Sequence, residues 1–176
     1  MKLNFRMAVS VIFPAILACA SLLMAGTLMG EPRSADTPAP PKVAPSAIQI
    51  QVVDPGDVPL PLEFRVAVYE NVITQIQKTG KFKHVYRSGD TEAASAPDLV
   101  TLSMVAQSFN KGSQKKREVT TVSGWSSMTL KVRITDHAGQ AVVDRDIEGK
   151  VRFFGENLNV TYDFSKKVAG VVRDTF

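Results

Sequence analysis

Three rhythms of apolar and polar residues succeed one another along the chain. Residues 7–30 carry no charge, and 18 of these 24 positions are apolar. Residues 31–46 have no apolar period, and Pro32, Pro38, Pro40, Pro41 and Pro45 stand among Ala, Ser and Thr. From Ala47 onward regular periods appear. Residues 47–53 (AIQIQVV) alternate apolar and polar and predict a half-buried strand, which Asp54-Pro55-Gly56-Asp57 breaks. Pro59 and Pro61 then suit a helix start. Leu62, Val66, Tyr69, Ile73 and Ile76 recur at helical spacing and predict one buried face, with Gly80 as a C-terminal cap. Residues 82–87 (FKHVYR) predict a short strand, and residues 88–97 a polar connector with about one helical turn.

Two long alternating runs follow. Val100, Leu102, Met104 and Ala106 share one face, as do Met128, Leu130, Val132 and Ile134. After the turn Asp136-His137-Ala138-Gly139, residues 143–154 predict another strand with Ile147, Val151 and Phe153 on one side and a bulge at Gly149. Val160, Phe164, Val168 and Val171 form a closing helical stripe, with Asn157 or Asn159 as cap. Strand, helix, strand, three long strands, helix predicts a two-layer α+β sandwich. About five mostly antiparallel strands form its sheet, and two amphipathic helices cover one face. An eight-stranded membrane barrel is the rival for such alternation; the two helical stripes argue against it, and Asp174 breaks the pattern a terminal barrel strand needs.

Charge changes the meaning of the first 30 residues. Lys2 and Arg6 precede the apolar run, as in an export signal. At ~1.5 Å per residue the run could also cross a bilayer core of ~30 Å, with the basic end in the cytoplasm. Three endings stay open: an uncleaved anchor bent at Pro14, acylation of Cys19 in the lipobox-like Ile16-Leu17-Ala18-Cys19, or cleavage and soluble export. Leu17 is bulky for a lipobox, and the chain stays apolar beyond Cys19. Each ending places the remainder outside the cytoplasm, in a bacterial cell envelope. The expected organisation is therefore a signal peptide or anchor over residues 1–30, a polyproline-like linker over 31–46 reaching roughly 50 Å, and the α+β domain over 47–176.

Composition narrows the chemistry. The 176 residues hold one domain of ordinary size, too little for a doubly wound enzyme with a second domain or a (β/α)₈ barrel. A single Cys, inside the leader, excludes a disulfide framework or a Cys-rich zinc site. Two His far apart leave little for a metal centre, and no phosphate-binding loop, H-E-x-x-H or G-x-S-x-G is present. Ser113-Gln114-Lys115-Lys116 matches S-x-x-K but falls in a polar loop without the companion motifs of serine acyl-transferases. Asp144, Asp146 and Glu148 share a strand face, which Lys150 and Arg152 continue, so a solvated mixed-charge surface is expected. No catalytic residue, cofactor or metal is expected. Half of the net charge of +4 belongs to Lys2 and Arg6. The densest basic cluster in the domain, Lys111, Lys115, Lys116 and Arg117, falls between two long strands. It is the candidate anion-binding site, on an expected hairpin tip that could meet lipid headgroups or an anionic polymer. Export and the scarcity of interleaved aromatics argue against nucleic acid.

Gly80-Lys81-Phe82-Lys83-His84-Val85-Tyr86-Arg87, Asp98-Leu99-Val100 and Gly149-Lys150-Val151-Arg152-Phe153-Phe154-Gly155-Glu156-Asn157-Leu158 together resemble the bacterial domain of unknown function 4410. The likeness spans residues 48–172. Such proteins are exported and often lipoprotein-like, and the layout is similar to the N-terminal domain of TolB and to auxiliary lipoproteins of transporters. The resemblance brings no catalytic residues. It implies a non-catalytic envelope module whose partners are other envelope proteins, with the membrane met through the N-terminal segment.

Overall fold

The computed structural model describes residues 44–120, 123–152 and 156–176. The leader, Cys19 and residues 31–43 of the linker lie outside the described residues, as do Phe153 and Phe154 at the end of the expected last strand. Five strands form one sheet in the order β2-β1-β3-β4-β5. They are β1 (Ala47–Ile50), β2 (His84–Arg87), β3 (Leu99–Asn110), β4 (Ser126–Thr135) and β5 (Ala141–Val151). Helix α1 (Leu62–Thr79) connects β1 to β2, a short helix α2 (Gln114–Val119) lies between β3 and β4, and α3 (Asn159–Thr175) closes the chain. The result is the expected α+β sandwich, with α1 and α3 on the same face of the sheet.

The long ladders β3–β4 and β4–β5 are antiparallel, and the short turn between Thr135 and Ala141 requires it of the second. The meander does not extend to β1, which lies between β2 and β3 and runs parallel to both. The crossover through α1 dictates the first of these pairings, because a helix returning the chain to its starting end makes the next strand parallel. Beyond β1 the chain stays beside β3: Gln51 and Asp54 donate to the carbonyls of Leu102 and Met104.

Alternation delivers the core. Ile48, Ile50, Val100, Leu102, Met104, Leu130, Val132 and Ile134 meet α1 and α3 in one apolar cluster. The face of α1 differs from the expected stripe. Phe64, Val68, Val72, Ile73 and Ile76 are buried, whereas Leu62 and Val66 are 64% and 51% exposed. Apolar residues occupy two overlapping stripes of this helix, and contact with the sheet and α3 selects the one containing Phe64, which meets Phe109 edge-on at 4.7 Å. Asn71 donates to Thr161 of α3 at 2.9 Å and ties the two helices together.

Gly149 is not a bulge. It pairs in register with Met128, and the register shift of the central ladder falls between Ala106 and Ser108. A β-carbon on Gly149 would lie 2.5 Å from the Val160 carbonyl oxygen, so glycine here lets α3 close onto the sheet. Helix α3 starts after Leu158 without a side-chain cap; Asn157 is used elsewhere.

Candidate functional site

The connection between β3 and β4 is built with more structure than a hairpin tip needs. Ser113 sits in extended backbone, and its hydroxyl accepts the Lys116 amide at 3.4 Å, capping α2. That role accounts for Ser113 and uses the backbone amide of Lys116, not its ammonium. Gly112 and Gly124 both adopt left-handed backbone (φ 67° and 86°), and a β-carbon on either would fall within 2.6 Å of neighbouring atoms. The Ser113 amide donates to the Gly124 carbonyl at 2.9 Å, tying the two arms of the connection together.

Arg117 holds this arrangement. The expected cluster of four surface cations contains only three, because Arg117 is 3% exposed. Its guanidinium donates to the Gly124 carbonyl at 2.6 Å, to Ser126 Oγ at 3.1 Å and to Asn157 Oδ1 at 2.8 Å. Ser126, also buried, lies 2.6 Å from the Lys111 carbonyl oxygen. One side chain thereby connects α2, the start of β4 and the approach to α3. Local spacing could not reveal it, since Asn157 lies 40 residues away. Its only signal was an Arg in a basic run with a helical cap before it.

Lys111, Lys115 and Lys116 remain exposed on this locked frame. Lys111 approaches Glu63 at 3.8 Å, a loose pair in water, while Lys115 and Lys116 make no ion pair among the described residues. The nearby Glu118 carboxylate accepts from Gln114. An open groove of about 450 Å³ runs across the tip, lined by Asn110, Lys111, Ser113, Lys116, Ser123 and Trp125 among others. Trp125, the only Trp of the chain, is 47% exposed.

Other chemistry-bearing residues are engaged in structure. Asp144 meets Arg133 and Lys131, and Lys150 meets Glu148, making the mixed-charge face expected of β5. The Arg133 guanidinium holds the Asp144 carboxyl below its ordinary range, and the forked Arg87–Glu70 pair does the same to Glu70. His84 is exposed and stacks on Tyr86. His137 borders a second, more apolar cleft of about 520 Å³ with Leu99, Val142 and Phe176. The neighbouring Asp136 caps its own turn, accepting the amides of Ala138 and Gln140. Among the described residues, no three His, Cys, Asp or Glu are placed to hold a metal.

No family model and no curated protein sequence matches the chain. Solved structures do. PelC from Paraburkholderia phytofirmans, described as a dodecamer, superposes with a TM-score of 0.54 at 12% identity, covering 74% of this chain and 89% of PelC. The two share a fold. A DUF330 protein from Xanthomonas campestris, XCC0632, superposes at 0.51 with 11% identity, covering 77% of this chain and 90% of its own. At such identity the likeness to PelC and to the DUF330 protein concerns the path of the backbone, and none of their residues is carried over.

Proposed function

We propose that the chain is a non-catalytic interaction module of the bacterial cell envelope, exported behind its apolar N-terminal segment and presenting the β3–β4 tip to a partner protein. The observation that carries this reading is the use of a buried guanidinium, with three protein acceptors among the described residues, to hold a loop whose own cations stay in water. A connector between two strands needs no such clamp; a surface that must present side chains in one arrangement does. The fold shared with PelC and the DUF330 protein supports the reading, as does the resemblance to the domain of unknown function 4410, of which we take the chain to be a member.

A photo-crosslinker placed at Lys115 in the full chain, expressed in the host envelope, tests it. The expected result is a discrete crosslinked envelope protein that is absent when the crosslinker stands at Lys83, exposed before β2. Equal crosslinking from both positions, or none from Lys115, refutes the reading. Mass spectrometry of the N-terminal peptide separates anchor, acylated Cys19 and cleaved signal. The three exposed lysines favour a second reading, in which the tip binds an anionic ligand, carboxylate or phosphate.

A further inference from the structure

We infer that the groove on the β3–β4 tip binds an acidic polysaccharide, with Trp125 as stacking platform and Lys111 and Lys116 as carboxylate partners. This rests on the anion-binding reading of the tip and names its ligand class.

The groove has the attributes such a ligand needs together. Its volume of about 450 Å³ falls in the range of specific ligand sites, with room for a short run of sugar rings. An indole offers a flat, rigid apolar surface that loses little conformational freedom on contact, and the apolar face of a pyranose ring matches it. Lys111 and Lys116 border the same groove, so a carboxylate can meet an ammonium while the ring lies on Trp125. Lys115, exposed on the same short helix, extends the positive field beyond the groove. The lining also hydrogen-bonds in both senses. The Ser113 hydroxyl accepts from the Lys116 amide and keeps its proton to donate, and the Ser123 hydroxyl and Asn110 amide share the lining. Sugar hydroxyls use donors and acceptors alike.

The frame is organised before any ligand arrives. Gly112 and Gly124 bring backbone closer than any side chain would allow, and Arg117 clamps both arms. Little ordering is left for binding to oppose. A lipid surface is the other anionic partner of a basic, Trp-bearing tip, but Trp125 lines a polar concavity, whereas insertion among lipids calls for an apolar convex tip.

Because Trp125 is the only Trp, its fluorescence reports the groove directly. The full chain is held in phosphatidylcholine nanodiscs and titrated with polygalacturonate, with neutral dextran as control. The expected result is a saturable change in emission that high salt abolishes, that dextran does not produce, and that Lys111→Ser/Lys116→Ser weakens about ten-fold. Trp125→Ala, followed by calorimetry, should weaken binding about five-fold or more. Both lysines and Trp125 are solvent-exposed, so these variants keep the fold. The inference is overturned by no response to polygalacturonate, by an equal response to dextran, or by affinity unchanged in the double lysine variant. It is also overturned if emission responds only when phosphatidylglycerol replaces phosphatidylcholine, which assigns the tip to lipid. Each of these outcomes leaves the crosslink expected at Lys115 untouched, so this inference and the interaction-module reading fail separately.

Discussion

Gly149→Ala tests how closely α3 is seated. The new methyl would stand 2.5 Å from the Val160 carbonyl oxygen and 2.8 Å from Phe164 Cβ, where ordinary contacts begin at 3.4 Å. Neither neighbour is the tip of a flexible chain, so the first turns of α3 must retreat by about 0.9 Å. Val160 and Phe164 are fully buried, as are Val168 and Val172 further along α3. A gap of about 0.5–1 Å forfeits a quarter to a half of each dispersion contact across it. Overpacking costs about 1–3 kcal/mol, and the backbone clash places this site in the upper part of that range. Replacing a strand glycine returns roughly 0.5 kcal/mol by restricting the unfolded chain. The net loss is about 2 kcal/mol, or roughly 6–10 °C in Tm for a domain of this size. Thermal unfolding followed by circular dichroism measures it. The matched control is Gly170→Ala in α3, where a β-carbon meets nothing nearer than an Arg173 nitrogen at 3.9 Å; it should raise stability by roughly 0.5–1 kcal/mol. A Gly149→Ala protein melting within about 2 °C of the parent, or above it, refutes this account of the helix–sheet approach.

Arg117→Met should destabilise by about 2–4 kcal/mol, since the Gly124 carbonyl and Asn157 Oδ1 lose a charged donor; hydrogen exchange at the Ser113 and Lys116 amides should accelerate with it, and unchanged protection there would show that the clamp is dispensable. Phe64→Ala should cost about 3–5 kcal/mol whereas Val66→Ser should stay within about 0.5 kcal/mol, as denaturant midpoints will show; the reverse order would mean the wrong α1 face was assigned to the core. Arg87 depresses the carboxyl pKa of Glu70 in the folded state, so the pair's contribution is present above the unfolded value near ~4.3 and disappears as pH falls through the lower folded value. Glu70→Gln should therefore melt below the parent at neutral pH, with the gap closing on acidification below about pH 4 and shrinking in high salt; a gap that widens with acid contradicts the pairing.

Several strands and both long helices were legible because their determinants are local. A period of two over residues 99–106 and 126–135 places alternate side chains on one face whatever the neighbours are, and Gly80 closes α1 through its own left-handed backbone. Charge alternation on β5 likewise indicated a wet face, and Arg133 and Lys131 neutralise Asp144 across it. The tip was legible as a place and as a charge, not as a shape. Sequence spacing brought Lys111, Lys115 and Lys116 together, while nothing near them indicated that Trp125 would share their groove.

By itself, then, the chain's pattern determined the α+β class, the two amphipathic helices and the basic tip, because each depends on neighbours a few residues apart. Tertiary structure alone decided the rest. The parallel seat of β1 between β2 and β3, the selection of Phe64 over Leu62 and Val66, the close approach at Gly149 and the burial of Arg117 against Asn157 all depend on partners in other elements of the fold. The physical reason is common to all four. An apolar stripe, a glycine or a guanidinium states what it can satisfy, and only the packed partner determines which of those options lowers the free energy.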